Sequence, residues 1–247
     1  MLIVSEIAII LTYYENLKHD LRTTMTIDVT FLKSIPYFTV MNTVELEAIK
    51  SLFSEKMVQR GEVIILEGNL SDTLFFVAAG AVKVFKTSAQ GKEQILSIAR
   101  PGEALNDVPI FDGGANPISA QALGSVILYS IKKDKLQSLM QQYPKIALNT
   151  SKVLAGRMRQ LVALVEDLSF RHVLGRVTKI LLEHAGDGTA ANDHLTQQEM
   201  AAMAGTAREV VARSLKLLEE QGHIRLERHR IVITDKKSLE EIVEDSG

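Results

Sequence analysis

Apolar and polar positions change rhythm three times along this chain, and each rhythm predicts a different kind of element. In Thr43 to Phe53, TVELEAIKSLF, apolar residues recur at helical spacing behind a capping box at Thr43, with Glu45 and Glu47 near the positive end of the helix dipole. That stretch predicts one short amphipathic helix. Beyond it, Gly61, Gly68, Gly80, Gly91, Gly102, Gly113, Gly114 and Gly124 separate short runs rich in Val, Ile, Leu and Phe. Such punctuation reads as a meander of short strands forming a sheet sandwich or roll. Within it Val82 and Val84 alternate with Lys83 and Phe85, and SAQGKE is a hairpin turn with Gly91 at its tight position.

From Asp134 to Phe170 helix formers take over. Leu154, Met158, Leu161, Val165 and Leu168 recur at spacings of four, three, four and three, the seam of a coiled coil. A helix lying against its own sheet is the competing reading, applicable to the flanking Val162 and Leu164. Five side chains per protomer buried at about 1.5–3 kcal/mol each outweigh an association cost of about 4–15 kcal/mol, which favours dimerisation. RHVLGRVTKILLEHAGDG is a further amphipathic helix ending at Gly186 and Gly188, followed by the polar loop DGTAANDH.

The third rhythm is HLTQQEMAAMAGTAREVVARSLKLLEEQGHI. Thr196 with Glu199 and Thr206 with Glu209 are two capping-box patterns on either side of Gly205, the minimum description of a helix-turn-helix. On the second helix Val211, Leu215 and Leu218 form the inward stripe, leaving Arg208, Glu209, Ala212, Arg213 and Lys216 outside. Arginine donates a bidentate pair to guanine and glutamate accepts from cytosine, so Arg208, Glu209 and Arg213 are the candidate base readers. Thr196, Gln197, Thr206, Lys216, Arg228 and Arg230 are the candidate backbone contacts. The plainer reading is an exposed helix with an i, i+4 ion pair between Glu209 and Arg213. Against it stands IRLERHRIVIT, two short strands around a basic turn carrying Arg225, Arg228, His229 and Arg230, which adds a wing.

Charge sharpens this picture. The 247-residue chain has 28 Lys and Arg against 30 Asp and Glu, a net charge of −2, so any DNA-binding surface must be local. Between Arg208 and Arg230 six basic residues face four glutamates, and the local balance is positive. There is no cysteine, which excludes a disulfide frame, a cysteine-ligated iron–sulfur cluster and a thiol redox switch, and fits a cytoplasmic protein. Met1 to Leu11 is apolar, but Glu6 interrupts it and no basic residue precedes it, against a signal or membrane segment. Residues 1–24 stay unassigned, and Met25 is an alternative start. The expected organisation is α+β: a β-roll sensor over 25–133, a dimerisation helix over 134–170 and a winged helix-turn-helix over 171–247.

This order of parts resembles the cyclic-AMP receptor and fumarate-nitrate reductase regulator (CRP/FNR) family from about Phe31 to about Thr234. GEVIILEGNLSDTLFFVAAGAVKVFKTSAQGKEQIL resembles the family's cyclic-nucleotide-binding-like jelly roll, and REVVAR is similar to its base-reading pattern. The resemblance implies a homodimeric transcription regulator, not an enzyme, that binds double-stranded DNA at an inverted repeat of TGTGA-like half-sites. It also implies RNA polymerase as partner if the protein activates, and no membrane partner.

At the effector site the chain departs from the cyclic-nucleotide binders. Where they carry Gly-Glu and Arg-Ser, this sequence has Asn106-Asp107 and Pro117-Ile118, and the adenine-contacting positions of the seam helix fall at Leu161 and Val162. A cyclic phosphate buried without its arginine would be undercompensated, which argues against cyclic AMP. Leu105, Asn106, Asp107, Pro117, Ile118, Leu161 and Val162 are the candidate effector pocket. NPISAQAL is similar to the haem-associated, nitric-oxide-responding branch, which makes haem a candidate cofactor. Yet the roll holds none of the six histidines, which are His19, His172, His184, His194, His223 and His229. Three other readings compete: an effector-independent regulator, a protein-binding regulatory module, and a jelly-roll metalloenzyme. The last needs a histidine cluster that the roll lacks. Leu168 to His172 is the expected hinge between seam and DNA-binding part.

Overall fold

A computed structural model describes residues 27–184, 195–227 and 230–246. The 1–24 extension, Met25, Gly186, Gly188, Arg228 and His229 lie outside the described residues. The chain enters through α1 (Val29–Ser34) and α2 (Thr43–Ile49). Asn42, not Thr43, caps α2: its side chain accepts from the Glu45 amide while the Glu45 carboxylate accepts from the Asn42 amide. The amphipathic run also stops early. A 3-10 turn over Lys50–Leu52 ends it, and Phe53 already opens a strand because its ring is needed in the sheet core.

The glycine-punctuated region forms β1 (Phe53–Val58), β2 (Val63–Ile65), β3 (Thr73–Ala79), β4 (Val82–Thr87), β5 (Glu93–Ala99), β6 (Ala104–Leu105), β7 (Ser119–Ala122) and β8 (Val126–Lys132). Helix α3 (Asp107–Asp112) interrupts it after β6. Two four-stranded antiparallel sheets result, ordered β1-β8-β3-β6 and β2-β7-β4-β5. Val58, Val77, Val82, Val126 and Leu128 belong to one fully buried cluster of this roll. On the first sheet α1 and α2 close a second cluster around Tyr37, Phe38, Phe53 and Phe76, with edge-on rings 5.3–5.6 Å apart.

The expected alternation on β4 fails at one point. A bulge between Val84 and Phe85 shifts the pairing with β5, so Lys83 is buried. Its ammonium is held by Glu93 at 2.6 Å and lies 4.5 Å from the centre of the Phe85 ring.

The helical region is two helices rather than one. Residues Lys133–Gln142 form α4, and α5 runs from Pro144 to Phe170. Tyr143 cannot continue α4 because it precedes a proline, whereas Pro144 suits the first turn of α5. The start of α5 packs on the roll through Ile146, Asn149 and Thr150, all buried, and its later turns leave an apolar face open. The last domain comprises α6 (Val173–His184), α7 (Gln197–Ala204), α8 (Arg208–Glu220), the β9 (Ile224–Glu227) and β10 (Arg230–Ile233) hairpin, and α9 (Lys236–Glu244). Val177, Leu181, Met200, Val211, Leu215, Leu218 and Leu239 are its core.

Gly80 joins β3 to β4 at φ +84°, and a Cβ there would meet the Ser125 carbonyl oxygen at 2.5 Å. Gly80→Ala is therefore expected to destabilise the roll by more than about 2 kcal/mol, read as a lower urea midpoint at unchanged slope.

Candidate functional site

The helix-turn-helix is built by α7 and α8. Thr196 caps α7, its hydroxyl accepting from the Glu199 amide at 3.2 Å while the Glu199 carboxylate accepts from the Thr196 amide at 2.6 Å. Gly205 ends α7 at φ +65°, a left-handed conformation that favours glycine. The second capping box does not form. The chain extends at Ala207 (φ −93°, ψ 151°), which makes Ala207 the cap and moves Glu209 to the second helical position, one short of the place a capping box needs. Thr206 instead donates its amide to the Ala201 carbonyl.

That displacement leaves Glu209 free. Arg208, Glu209 and Arg213 are exposed on α8, opposite the buried Val211, Leu215 and Leu218. Among the described residues none of the three has a side-chain ion pair, so the i, i+4 bridge between Glu209 and Arg213 is not made. Arg208 stands at the first helical position, where the dipole disfavours a cation. A local rule broken this way, with no intramolecular compensation, marks a surface shaped for a partner of opposite charge. Lys216 pairs loosely with Glu220 at 3.6 Å, and Gln197 is half-buried at the start of α7. On the wing, Arg225 and Arg230 both bond Glu227, at 2.8 and 2.6 Å, and these two guanidinium groups hold its carboxyl below the usual range. Arg230 is therefore partly neutralised. The Glu219 carboxylate accepts from the Leu226 amide and ties the wing to α8.

At the expected hinge the structure places a knot of charge. Asp167, in the last turn of α5, bonds Arg171 at 3.0 Å and also Lys179 of α6. Arg171 reaches on to the Val243 carbonyl and to the Ser246 hydroxyl at 3.2 Å, and Arg176 donates to the Arg171 and Ala204 carbonyls. Burial raises the Asp167 pKa, but the bonds from Lys179 and Arg171 outweigh it and hold the carboxyl below its ordinary value.

At the candidate effector pocket, Asn106 takes a left-handed conformation at φ +74°. Its amide is pulled back to the Ser71 hydroxyl (2.7 Å) and Thr73 carbonyl (2.6 Å) instead of capping α3. Asp107, 3% exposed, bonds Arg157 of α5, and the Tyr37 hydroxyl donates to it at 3.2 Å. Burial, with the Asp107 charge beside it, pushes the Tyr37 phenol far above its usual range. Arg157 also donates to the Ala104 carbonyl, so it clamps the seam helix onto the roll. Sequence reading missed it; its signal was a cation inside an apolar helix run.

Leu105 is buried with Asn106 and Asp107, and Ile118 packs partly on the roll core. Pro117, Leu161 and Val162 are exposed. A shallow depression lined by Phe31, Glu55, Ile127 and Tyr129 shares none of these residues. Of the described histidines, His172 bonds Ser246 through its amide, His184 lies 3.5 Å from Arg100 and His223 faces Asp235. Among the described residues no group of three or more His, Cys, Asp or Glu could hold a metal ion, and no helix is long and apolar enough to cross a membrane.

A glycine-punctuated roll, a long helix with an open apolar face and a winged helix-turn-helix define the architecture of a DNA-binding regulator. Comparisons with known proteins agree. Residues 55–143 match the family model of the cyclic nucleotide-binding domain, and residues 175–242 match the Crp-like helix-turn-helix domain. The chain is 31% identical over 211 residues to the cyclic AMP receptor protein of Thermus thermophilus, covering 85% of this chain and 98% of that one. It is 33% identical over 187 residues to the CRP-like cAMP-activated global transcriptional regulator of Mycobacterium tuberculosis, covering 73% and 84%. In fold it is similar to a crp/fnr-family regulator from Eubacterium rectale, with a TM-score of 0.71 at 22% identity over 86% of this chain and 99% of that one. FixK2 from Bradyrhizobium japonicum gives 0.69 at 22% identity, covering 77% and 96%. The chain belongs to the CRP/FNR family and is a transcription regulator with a helix-turn-helix DNA-binding domain.

The Asp167 knot yields a signed pH dependence. A carboxyl held below 3.8 in the folded state stabilises the fold above that pH and loses this contribution as pH falls through its lowered value. Asp167→Asn is expected to cost about 1–3 kcal/mol at neutral pH. In paired thermal melts the gap between wild type and variant should persist down to about pH 4 and close below it.

Proposed function

We propose that this regulator works as a homodimer on an inverted repeat, with Arg208, Glu209 and Arg213 of each α8 reading a TGTGA-like half-site. The observation that carries this reading is the exposure of those three side chains on one face of α8 without intramolecular partners. An unpaired arginine can give both donors of its fork to guanine, and an unpaired glutamate can accept from cytosine. Thr196, Gln197, Thr206 and Lys216 surround them as candidate phosphate contacts. Arg230 contributes less while Glu227 holds it.

The partner in the dimer is a second copy of α5. Met158 and Val165 are each 63% exposed, Val162 60% and Leu161 45%, one apolar strip continuous with the half-buried Leu154. Spacings of four and three suit a left-handed pairing of like helices. Leu168, the last residue of the predicted seam, serves differently: its Cδ2 lies 2.9 Å from where a Cβ on Gly205 would sit, so it supports the helix-turn-helix of its own chain.

The relatives named above carry cyclic AMP in their names, but the chemistry at residues 105–118 favours another effector. Arg157 of α5 pairs with the buried Asp107 and also donates to the Ala104 carbonyl, so its charge is already balanced by a carboxylate rather than held for a phosphate. Asp107 and Arg157 instead form a wire from roll to seam helix, through which a small neutral effector could shift α5 and the hinge at Leu168 to His172.

Equilibrium titration of the full chain against a duplex carrying an inverted TGTGA-like repeat tests this reading. Wild type should bind with strong salt dependence and no response to saturating cyclic AMP. Arg208→Ala combined with Arg213→Ala should lose at least about a hundredfold in affinity for that duplex relative to a scrambled one. Salt-insensitive binding, or equal affinities for both duplexes in wild type, would sink it.

A further inference from the structure

The sensor roll touches the helix-turn-helix directly, away from the hinge. Phe85 of β4 and Ile95 of β5 are buried in one cluster with Ala202 of α7, and Ile98 and Met203 pack at its edge. Gln94 of β5 donates its side-chain amide to the Met203 carbonyl at 3.1 Å. At the tip of the same hairpin, the Lys92 ammonium donates to the Gly205 carbonyl at 3.3 Å. A Cβ on Gly205 would meet the Gln94 amide oxygen at 3.2 Å, which shows how closely the hairpin abuts this turn. The carbonyls that end α7 are thus satisfied from outside the helix, by Gln94 at Met203, Arg176 at Ala204 and Lys92 at Gly205.

Lys92 differs from the other lysines of its hairpin. Lys83 is paired with Glu93 and Lys86 with Glu67, at 2.6 and 2.5 Å. Lys92 is exposed, and among the described residues no carboxylate pairs with it; its ammonium has only a neutral carbonyl beside it. Its position matters more than its freedom. Gly205 stands one residue before Thr206 and three before Arg208. When the first residues of a recognition helix reach base edges in the major groove, the turn just before them lies at the groove rim, where phosphates run. On a bound duplex, a full positive charge fixed at that turn by the packed hairpin would stand beside the DNA backbone.

We propose that Lys92 is a phosphate contact supplied by the sensor roll, so that the DNA-binding surface spans both domains. This rests on the DNA-binding reading given above. It gives the roll a second route to control of affinity: a displacement of the β4–β5 hairpin moves a cation toward or away from the duplex without passing through the hinge.

The test uses Lys92→Gln, which keeps a donor for the Gly205 carbonyl and removes the charge, and Lys92→Arg, which keeps both. Full-length proteins are titrated against the inverted-repeat duplex and a scrambled duplex over a range of salt concentrations. Each lost phosphate contact lowers the slope of log affinity against log salt by about 0.9, hence about 2 for a dimer. A rise from about 50 to about 200 mM salt should then cost the glutamine variant about tenfold less affinity than it costs wild type. The loss should be equal on both duplexes and restored by Lys92→Arg. A glutamine variant with the wild-type slope overturns the proposal, whether or not its affinity changes, because Lys92 would then only support the turn. If wild type shows no salt-dependent binding at all, the DNA reading falls and takes this proposal with it; a salt-dependent wild type with an unchanged variant slope removes this proposal alone.

Discussion

The proposed dimer turns on a strip of apolar surface that the described residues of one chain leave exposed. Helix α5 buries Ile146, Asn149 and Thr150 against its roll and then presents Met158, Leu161, Val162 and Val165 to solvent. Exposed apolar residues are ordinary when scattered, but a contiguous line of them at coiled-coil spacing is not. Removing that strip from water is the driving force that our reading assigns to dimerisation. The separation of the two recognition helices then follows from where α8 is fixed relative to α5. Specificity for an inverted repeat is, on this view, a consequence of how one hydrophobic seam is covered.

Three polar links make that fixing definite. Asp107 and Arg157 clamp the seam helix to the roll at the candidate pocket. Asp167, with Arg171 and Lys179, ties the end of α5 to the first helix of the DNA-binding domain. Gln94 and Lys92 hold the turn between α7 and α8 from the roll side. Helix α5 and the helix-turn-helix are each gripped at two places, so a change in the roll has two ways to reach Arg208, Glu209 and Arg213. Charged and amide groups suit this work, since a hydrogen bond at a domain boundary fixes direction while a hydrophobic contact permits sliding.

Periodicity and punctuation made the architecture legible. The glycine meander, the four-three repeat and the Thr196–Glu199 capping box each encode local geometry, and the structure contains a roll, a long helix and a helix-turn-helix at those places. What escaped was set by neighbours in space. Asn42 rather than Thr43 caps α2 because backbone torsion selects the residue whose side chain faces the open amides. The Thr206–Glu209 pattern looked like a second box, but the left-handed Gly205 moved the cap to Ala207. The bulge that buries Lys83, and the break at Tyr143 that splits the expected 134–170 helix, required knowing which partner strand and which core those residues meet. The links through Arg157, Gln94 and Lys92 join residues roughly fifty to over a hundred positions apart, which no local pattern records.

The central claim is tested most directly by the mass of the full chain in solution. Sedimentation equilibrium at micromolar concentration, without DNA, should report twice the 27.3 kDa of a single chain. Replacing Met158 and Val165 together by aspartate should return it to a single chain while the helical circular dichroism is retained. A wild-type protein that sediments as one chain across that range would contradict the account, because nothing would then hold two recognition helices at a common spacing.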